Sequence, residues 1–233
     1  MKTIRRYADL GKSDFGWLDS RHTFSFGGYR DPQHMGFGPL RVINNDRVEG
    51  GAGFSPHSHA NMEIISYVMD GGLAHGDSLG TKSVIPAGNI QLMSAGSGIT
   101  HSEYNASDDA PVHFYQIWVM PDVVNKDPEY QEMKLDHIDT KNKLAAVITP
   151  EGTNGTLKIK QDARMLLGRF DAGQSIQIPA TQGRKTWVQV TRGSIAVDGT
   201  TLNEGDGLGI AEEAIPSVRA ESDSEIIVFD MAA

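Results

Sequence analysis

The 233-residue chain contains no cysteine. That absence excludes disulfide scaffolds, thiolate zinc sites, iron–sulfur clusters and cysteine nucleophiles. Long apolar runs are missing too: the longest, around Phe114 to Met120, falls far short of the ~20 residues that span a bilayer. The opening MKTIRRYADL is charged and lacks the apolar stretch of a secretory signal. Positive charge is scarce, with 21 Lys and Arg against 30 Asp and Glu and a net charge of −9, which argues against direct nucleic-acid binding. These deficits describe a soluble, acidic protein, expected in the cytoplasm and without membrane association.

What is abundant is glycine, at 26 residues, together with short apolar or alternating runs. Such runs occur at Leu40–Ile43, Met62–Met69, Ile90–Met93, Val112–Met120, Leu157–Ile159, Trp187–Thr191, Ser194–Val197 and Glu225–Asp230. Turn signals separate them: Asn44-Asn45-Asp46, Asp70-Gly71-Gly72, Asp198-Gly199 and Gly205-Asp206-Gly207. Many short strands with little helical periodicity predict an all-β barrel or sandwich. The segment Asp127-Pro128-Glu129-Tyr130-Gln131-Glu132 reads either as a short helix, with Asp127 capping and Pro128 at its first position, or as a polar linker. Its place near the middle makes it the best domain boundary.

An internal repeat supports two related halves. At an offset of 122 residues Gly51 falls on Gly173, Val68 on Val190 and Gly71 on Gly193. After a five-residue deletion Gly88-Asn89 falls on Gly205-Asp206. The expected organisation is a domain over residues 1–125, a linker over 126–145 and a second domain over 146–233.

Histidine is distributed unevenly, with seven of eight residues in the first 120 and only His137 beyond. Two pairs stand out, His57-Ser58-His59 and His101-Ser102-Glu103. Residues i and i+2 of a strand face the same side, so each pair can present two donors to one interior. Three imidazoles and a carboxylate suit iron, copper, nickel, manganese or zinc. Spacing alone leaves a metal site and ordinary surface histidines equally open.

Context decides between them. Gly51, His57, His59 and Glu63 follow the spacing of the first cupin motif, and Gly80 with Pro86-Ala87-Gly88 resembles the start of the second. Gln91 stands where that second motif carries its histidine, and Ala95 where it carries its asparagine. The stretches Gly16-Trp17-Leu18-Asp19-Ser20-Arg21-His22-Thr23-Phe24-Ser25-Phe26-Gly27, Pro56-His57-Ser58-His59, Ser94 to Asn105 and Tyr115-Gln116-Ile117-Trp118 resemble the pirin-like family of the cupin superfamily over essentially the whole chain. The resemblance implies two tandem cupin barrels and a bound divalent metal, most often iron, with copper, manganese, nickel, cobalt or zinc as alternatives. It implies His57, His59, His101 and Glu103 as the ligands. Under the repeat, His57, His59 and Glu63 map to Pro179, Thr181 and Lys185, and His101 and Glu103 map to Val218 and Ala220. The second barrel is therefore expected to hold no metal.

Glu63 shares strand parity with His57 and His59 and is expected to reach the metal or to support its ligands. His22, His34, His75 and His113 read as ordinary strand or loop residues. Phe24, Phe26, Met35, Phe37 and Phe54 read as packing, with a few lining an apolar pocket for an aromatic ligand. Gly96-Ser97-Gly98 reads as a tight turn before a ligand strand. The resemblance further implies a quercetin 2,3-dioxygenase-like reaction, in which a flavonol and dioxygen are the substrates and Glu103 or Glu63 accepts the substrate proton. The alternative it implies is a metal-binding regulatory protein that partners transcription factors or metabolic enzymes.

Overall fold

A computed structural model describes residues 2–179, 183–211 and 217–233. In chain order the strands are β1 (Lys2–Arg5), β2 (Gly11–Asp14), β3 (Leu18–His22), β4 (Leu40–Val48), β5 (Gly53–His59), β6 (Glu63–Asp70), β7 (Gly72–Asp77), β8 (Lys82–Pro86), β9 (Asn89–Ser94), β10 (Ile99–Asn105), β11 (Val112–Val119) and β12 (Glu129–Lys134). They continue with β13 (Ala145–Thr149), β14 (Leu157–Lys158), β15 (Ala163–Phe170), β16 (Ser175–Ile176), β17 (Arg184–Arg192), β18 (Ser194–Val197), β19 (Thr200–Asn203), β20 (Gly207–Ala211), β21 (Val218–Ala220) and β22 (Ser224–Ala232). Among the described residues no helix is long and apolar enough to cross a membrane.

The chain forms two compact units. The first comprises Gly11–His137 with Ile159–Gln161, and the second comprises Met1–Leu10, Ile138–Lys158 and Asp162–Ala233. Each has one large and one small sheet. In the first unit the large sheet runs β12-β9-β6-β11-β4-β3-β2 and the small one β5-β10-β7-β8. In the second the large sheet runs β1-β20-β17-β22-β15-β13-β14 and the small one β16-β21-β18-β19. Position by position, β6 answers to β17, β9 to β20, β11 to β22 and β4 to β15, so the repeat read from glycines is a repeat of topology. Both units are cupin-like and all-β.

Local chemistry explains the turns. In the hairpin β18–β19, Val197 pairs with Thr200, and the two residues between them, Asp198 and Gly199, have φ of 47° and 79°. Positive φ at both loop positions matches the right-handed twist of the flanking strands, and Asp-Gly tolerates it. The apolar runs lie in strands as expected, and in the second unit Val188, Val190, Ile195, Leu208, Ile226 and Val228 make one core.

Three expectations need correction. The 126–145 linker is not one segment: Glu129–Lys134 is β12, paired with β9 at the edge of the first unit's large sheet. Its alternation buries Met133, and neither a helix nor a solvated linker forms there. The first residues belong with the second unit, because β1 hydrogen-bonds along β20 from Lys2↔Ile210 to Arg5↔Gly207. Finally, Asn44-Asn45-Asp46 is no turn but the middle of β4, fully buried. Its polar side chains find partners across the sheet: Asn44 Oδ1 meets His22 Nδ1 at 2.8 Å, and Asn45 Nδ2 donates to the Tyr115 hydroxyl at 2.9 Å.

One cross-strand row distinguishes the two units. In the first, His22, Asn44, Gln116, Ser66 and Gln91 lie side by side over β3, β4, β11, β6 and β9. In the second, the matching row is Leu166, Val228, Val188 and Leu208 over β15, β22, β17 and β20. The row that is polar in one unit is aliphatic in the other. We expect Leu208→Ala, which empties part of this second row, to destabilise the second unit by about 2–5 kcal/mol. Urea unfolding followed by Trp187, that unit's one tryptophan, measures this; a loss below about 1 kcal/mol would show that the row is not core.

Candidate metal centre

The site is built on two neighbouring strands of the first unit's small sheet. On β10 the side chains of Ile99, His101, Glu103 and Asn105 are buried while those between them are less so, as strand parity requires. Beside it, His57 pairs with His101, but Glu103 pairs with Phe54, so β5 carries one extra residue between the two pairs. Pro56 falls in that interval and has no N–H to give the ladder, which accounts for a bulge on this edge strand. The bulged stretch packs closely: a Cβ on Gly53 would stand 2.5 Å from the Glu103 carbonyl oxygen.

His57, His59 and His101 converge. Their ring centroids lie 4.8 Å (His57–His59), 4.5 Å (His57–His101) and 5.0 Å (His59–His101) apart. One nitrogen from each lies within 4.8 Å of the others. A second group, His75, His101 and Glu103, meets the same limit and shares His101 with the first. His57 Nδ1 donates to the Ser55 carbonyl at 2.8 Å, which fixes the tautomer and leaves the Nε2 lone pair free. His59 Nε2 and both His101 nitrogens are buried without a hydrogen-bond partner. Buried polar atoms are rarely left unpaired, and an ion held among these rings would take His59 Nε2 and one of the two His101 nitrogens. Burial pushes His59 down to about 4 and His101 down to about 3, with neighbouring imidazoles adding to both. The His59 and His101 rings are thus neutral at physiological pH, the form that binds a metal.

Glu103 is 2% exposed and reaches across to the large sheet. Gln91 Nε2 and Ser66 Oγ donate to its Oε1 at 2.8 and 3.0 Å, and Gln116 Nε2 donates to its Oε2 at 2.9 Å. Every one of these donors is neutral, and burial lifts the carboxyl to about 7. His75 is held beside it on β7: its Nε2–H donates to Asp77 Oδ2 at 2.9 Å, its ring stacks on Tyr130 at 4.6 Å, and its Nδ1 is buried without a partner. A cavity of about 200 Å³ opens beside His57 and Glu103, walled by Phe15, Phe26, Phe54 and Trp118.

Comparison with known proteins agrees with this geometry. The family model for pirin matches residues 3–119, and that for the quercetinase C-terminal cupin domain matches residues 146–231. The chain belongs to the pirin family. A protein of Escherichia coli strain K12 named quercetin 2,3-dioxygenase is 42% identical over 229 residues, 98% of this chain and 97% of its own. A pirin-like protein of Caulobacter vibrioides is 38% identical over 224 residues, 96% of each chain. The crystal structure of the E. coli bacterial pirin YhhW in complex with nickel(II) superposes with a TM-score of 0.94 at 40% identity, covering all of this chain (100%) and 99% of the other.

In this pirin the structure brings His57, His59 and His101 together and sets Glu103 against His101. Glu63 lies apart. It sits on β6 of the large sheet, accepts from Ser94 Oγ at 2.8 Å and from the Lys160 amide at 3.1 Å, and burial raises its pKa. Strand parity could not show this, because the chain crosses from one sheet to the other between His59 and Glu63. Of the expected pocket residues, Phe26 and Phe54 line the cavity, Phe24 is core and Met35 is exposed. His22, expected as ordinary, lines the cavity wall, and His75 stands beside His101. Sequence reasoning also missed Gln91, although its place where the cupin motif carries a histidine was a signal: the amide turns the same strand position into a donor for Glu103. In the second unit Val218 and Ala220, the counterparts of His101 and Glu103, are buried in apolar core, while Thr181, the counterpart of His59, lies outside the described residues. We expect Gln91→Leu to destabilise metal-free protein by about 1–3 kcal/mol, the cost of a buried acceptor losing its donor. Urea unfolding of the apo form tests this, and an unchanged midpoint would remove Gln91 from the support of Glu103.

Proposed function

We propose that this pirin is a metal-dependent dioxygenase that opens the heterocyclic ring of a flavonol such as quercetin. The observation that carries the proposal is an aromatic-walled cavity directly beside three converging imidazoles and a buried carboxyl group. The name of the E. coli relative supports the substrate class. In the reaction one flavonol and one dioxygen give an aryl ester and carbon monoxide, with both oxygen atoms retained in the two products.

His57, His59, His101 and Glu103 would hold the metal; iron is our first choice, and the nickel complex of YhhW supports a divalent ion more generally. When bound, the ion supplies a Lewis acid that lowers the pKa of a coordinated hydroxyl. The remaining work falls to the protein. Phe26, Phe54 and Trp118 offer ring faces and edges to a flat substrate and keep water from it. The Ser55 carbonyl holds His57 in one tautomer, and Gln91, Ser66 and Gln116 hold the carboxylate of Glu103 in one orientation. Glu103, its two carboxylate oxygens set by these donors, would accept the substrate hydroxyl proton. Glu63 accepts hydrogen bonds from Ser94 and Lys160 and lines no part of the cavity, so the proton role goes to Glu103.

Two measurements test the proposal together. Metal-loaded protein should consume oxygen and release carbon monoxide with quercetin. His57→Ala and His101→Ala should lose both the bound metal and the oxygen uptake. Full metal content in both variants would overturn the ligand set; no oxygen uptake with iron, copper, manganese or nickel forms would overturn the activity.

A further inference from the structure

The cavity contains a second carboxylate. Asp46 lies at the centre of β4, 3% exposed, and lines the same cavity as His57 and Glu103. Ser20 gives it a hydrogen bond, but its Oδ1 is buried with no partner. A carboxylate has about four acceptor positions, and leaving one buried and unused is costly. The surrounding wall does not fill that need. His22 is engaged with Asn44 and Ser13, and Gln116 with Glu103. No lysine or arginine lines the cavity, so no cation of the wall neutralises Asp46.

The fold itself does not call for a carboxylate here. By the 122-residue offset the counterpart of Asp46 is Gly168 on β15, which has no side chain at all. The pairing agrees: Asp46 faces Phe114 on β11, and Gly168 faces Ile226 on β22. The acid is present in the unit that carries the three converging histidines and absent at the matching position of the other. Around it stand Phe15, Phe26, Phe54 and Trp118, so a flat aromatic ring is the body that fits, and a hydroxyl on that ring is the donor that Oδ1 lacks.

We propose that Asp46 is the acceptor of a hydroxyl-binding subsite, which selects aromatic ligands carrying a phenolic hydroxyl in addition to the group that meets the metal centre. The inference rests on the flavonol reading for its choice of ring and adds a determinant of specificity to it. Sites built to hydrogen-bond a hydroxyl discriminate strongly against the analogue that lacks it, because the buried acceptor is then left unpaired.

The test uses zinc-loaded full-length protein without oxygen, so that binding is read without turnover. Two probes are titrated: quercetin, and the parent 3-hydroxyflavone, which lacks the additional ring hydroxyls. The wild type should bind quercetin at least about tenfold more tightly. Asp46→Leu removes the acceptor and keeps an apolar side chain of similar size. It should reduce quercetin affinity about tenfold or more and leave 3-hydroxyflavone within about twofold. Equal wild-type affinity for both probes, binding of neither, or equal effects of Asp46→Leu on both would overturn the subsite. Should Asp46→Leu not fold, the wild-type pair alone decides. Oxygen uptake separates the two readings: Asp46-dependent quercetin binding without oxygen consumption would sink the dioxygenase and keep the subsite, and consumption with no preference between probes would do the reverse.

Discussion

A buried carboxylate with only neutral partners sets the terms for the rest of the first unit. Glu103 leaves the small sheet and takes hydrogen bonds from Ser66, Gln91 and Gln116, each on a different strand of the large sheet. These bonds tie the two sheets across their shared interior, where aliphatic packing would otherwise serve. Amides and a hydroxyl orient the carboxyl without supplying a positive charge, and burial raises its pKa. A charge so placed in low dielectric is stabilised by a cation, and the converging imidazoles of His57, His59 and His101 can share one.

The second unit is the control that the molecule carries within itself. Its sheets have the same strand order, yet Leu166, Val228, Val188 and Leu208 occupy the row that Asn44, Gln116, Ser66 and Gln91 occupy in the first. Aliphatic side chains there pack against one another and fill the interior. The polar ones hydrogen-bond instead, Gln91 and Gln116 each donating to Ser66 and to Glu103. Fold and chemistry are thus separable: the barrel tolerates either row, and the polar row is the one that supports Glu103.

Much of this was legible in the sequence because period-two patterns are local. His57 and His59, or His101 and Glu103, share a face by parity alone, and Asp198-Gly199 carries its own turn geometry. What was not legible depends on which strands become neighbours. Glu63 has the right parity on the wrong sheet. Asn44-Asn45-Asp46 has the composition of a turn, and only the partners supplied by β3 and β11 make it a strand. Gln91 and His75 look unremarkable until β9 is set under Glu103 and β7 beside His101. The division into two halves was readable from spaced glycines, whereas the exchange of edge strands was not, since Lys2–Arg5 and Glu129–Lys134 carry no mark of the sheet they join.

That exchange bears on how the chain is made. β1 is made long before its partner β20, with Lys2 paired to Ile210. The second unit therefore cannot complete its large sheet until β20 exists, whereas the first unit has its last short segment, Ile159–Gln161, earlier. Contacts so distant in sequence close slowly and leave an open β edge in the meantime. Until then β1 is an unpaired strand, which needs protection from neighbouring chains while it waits.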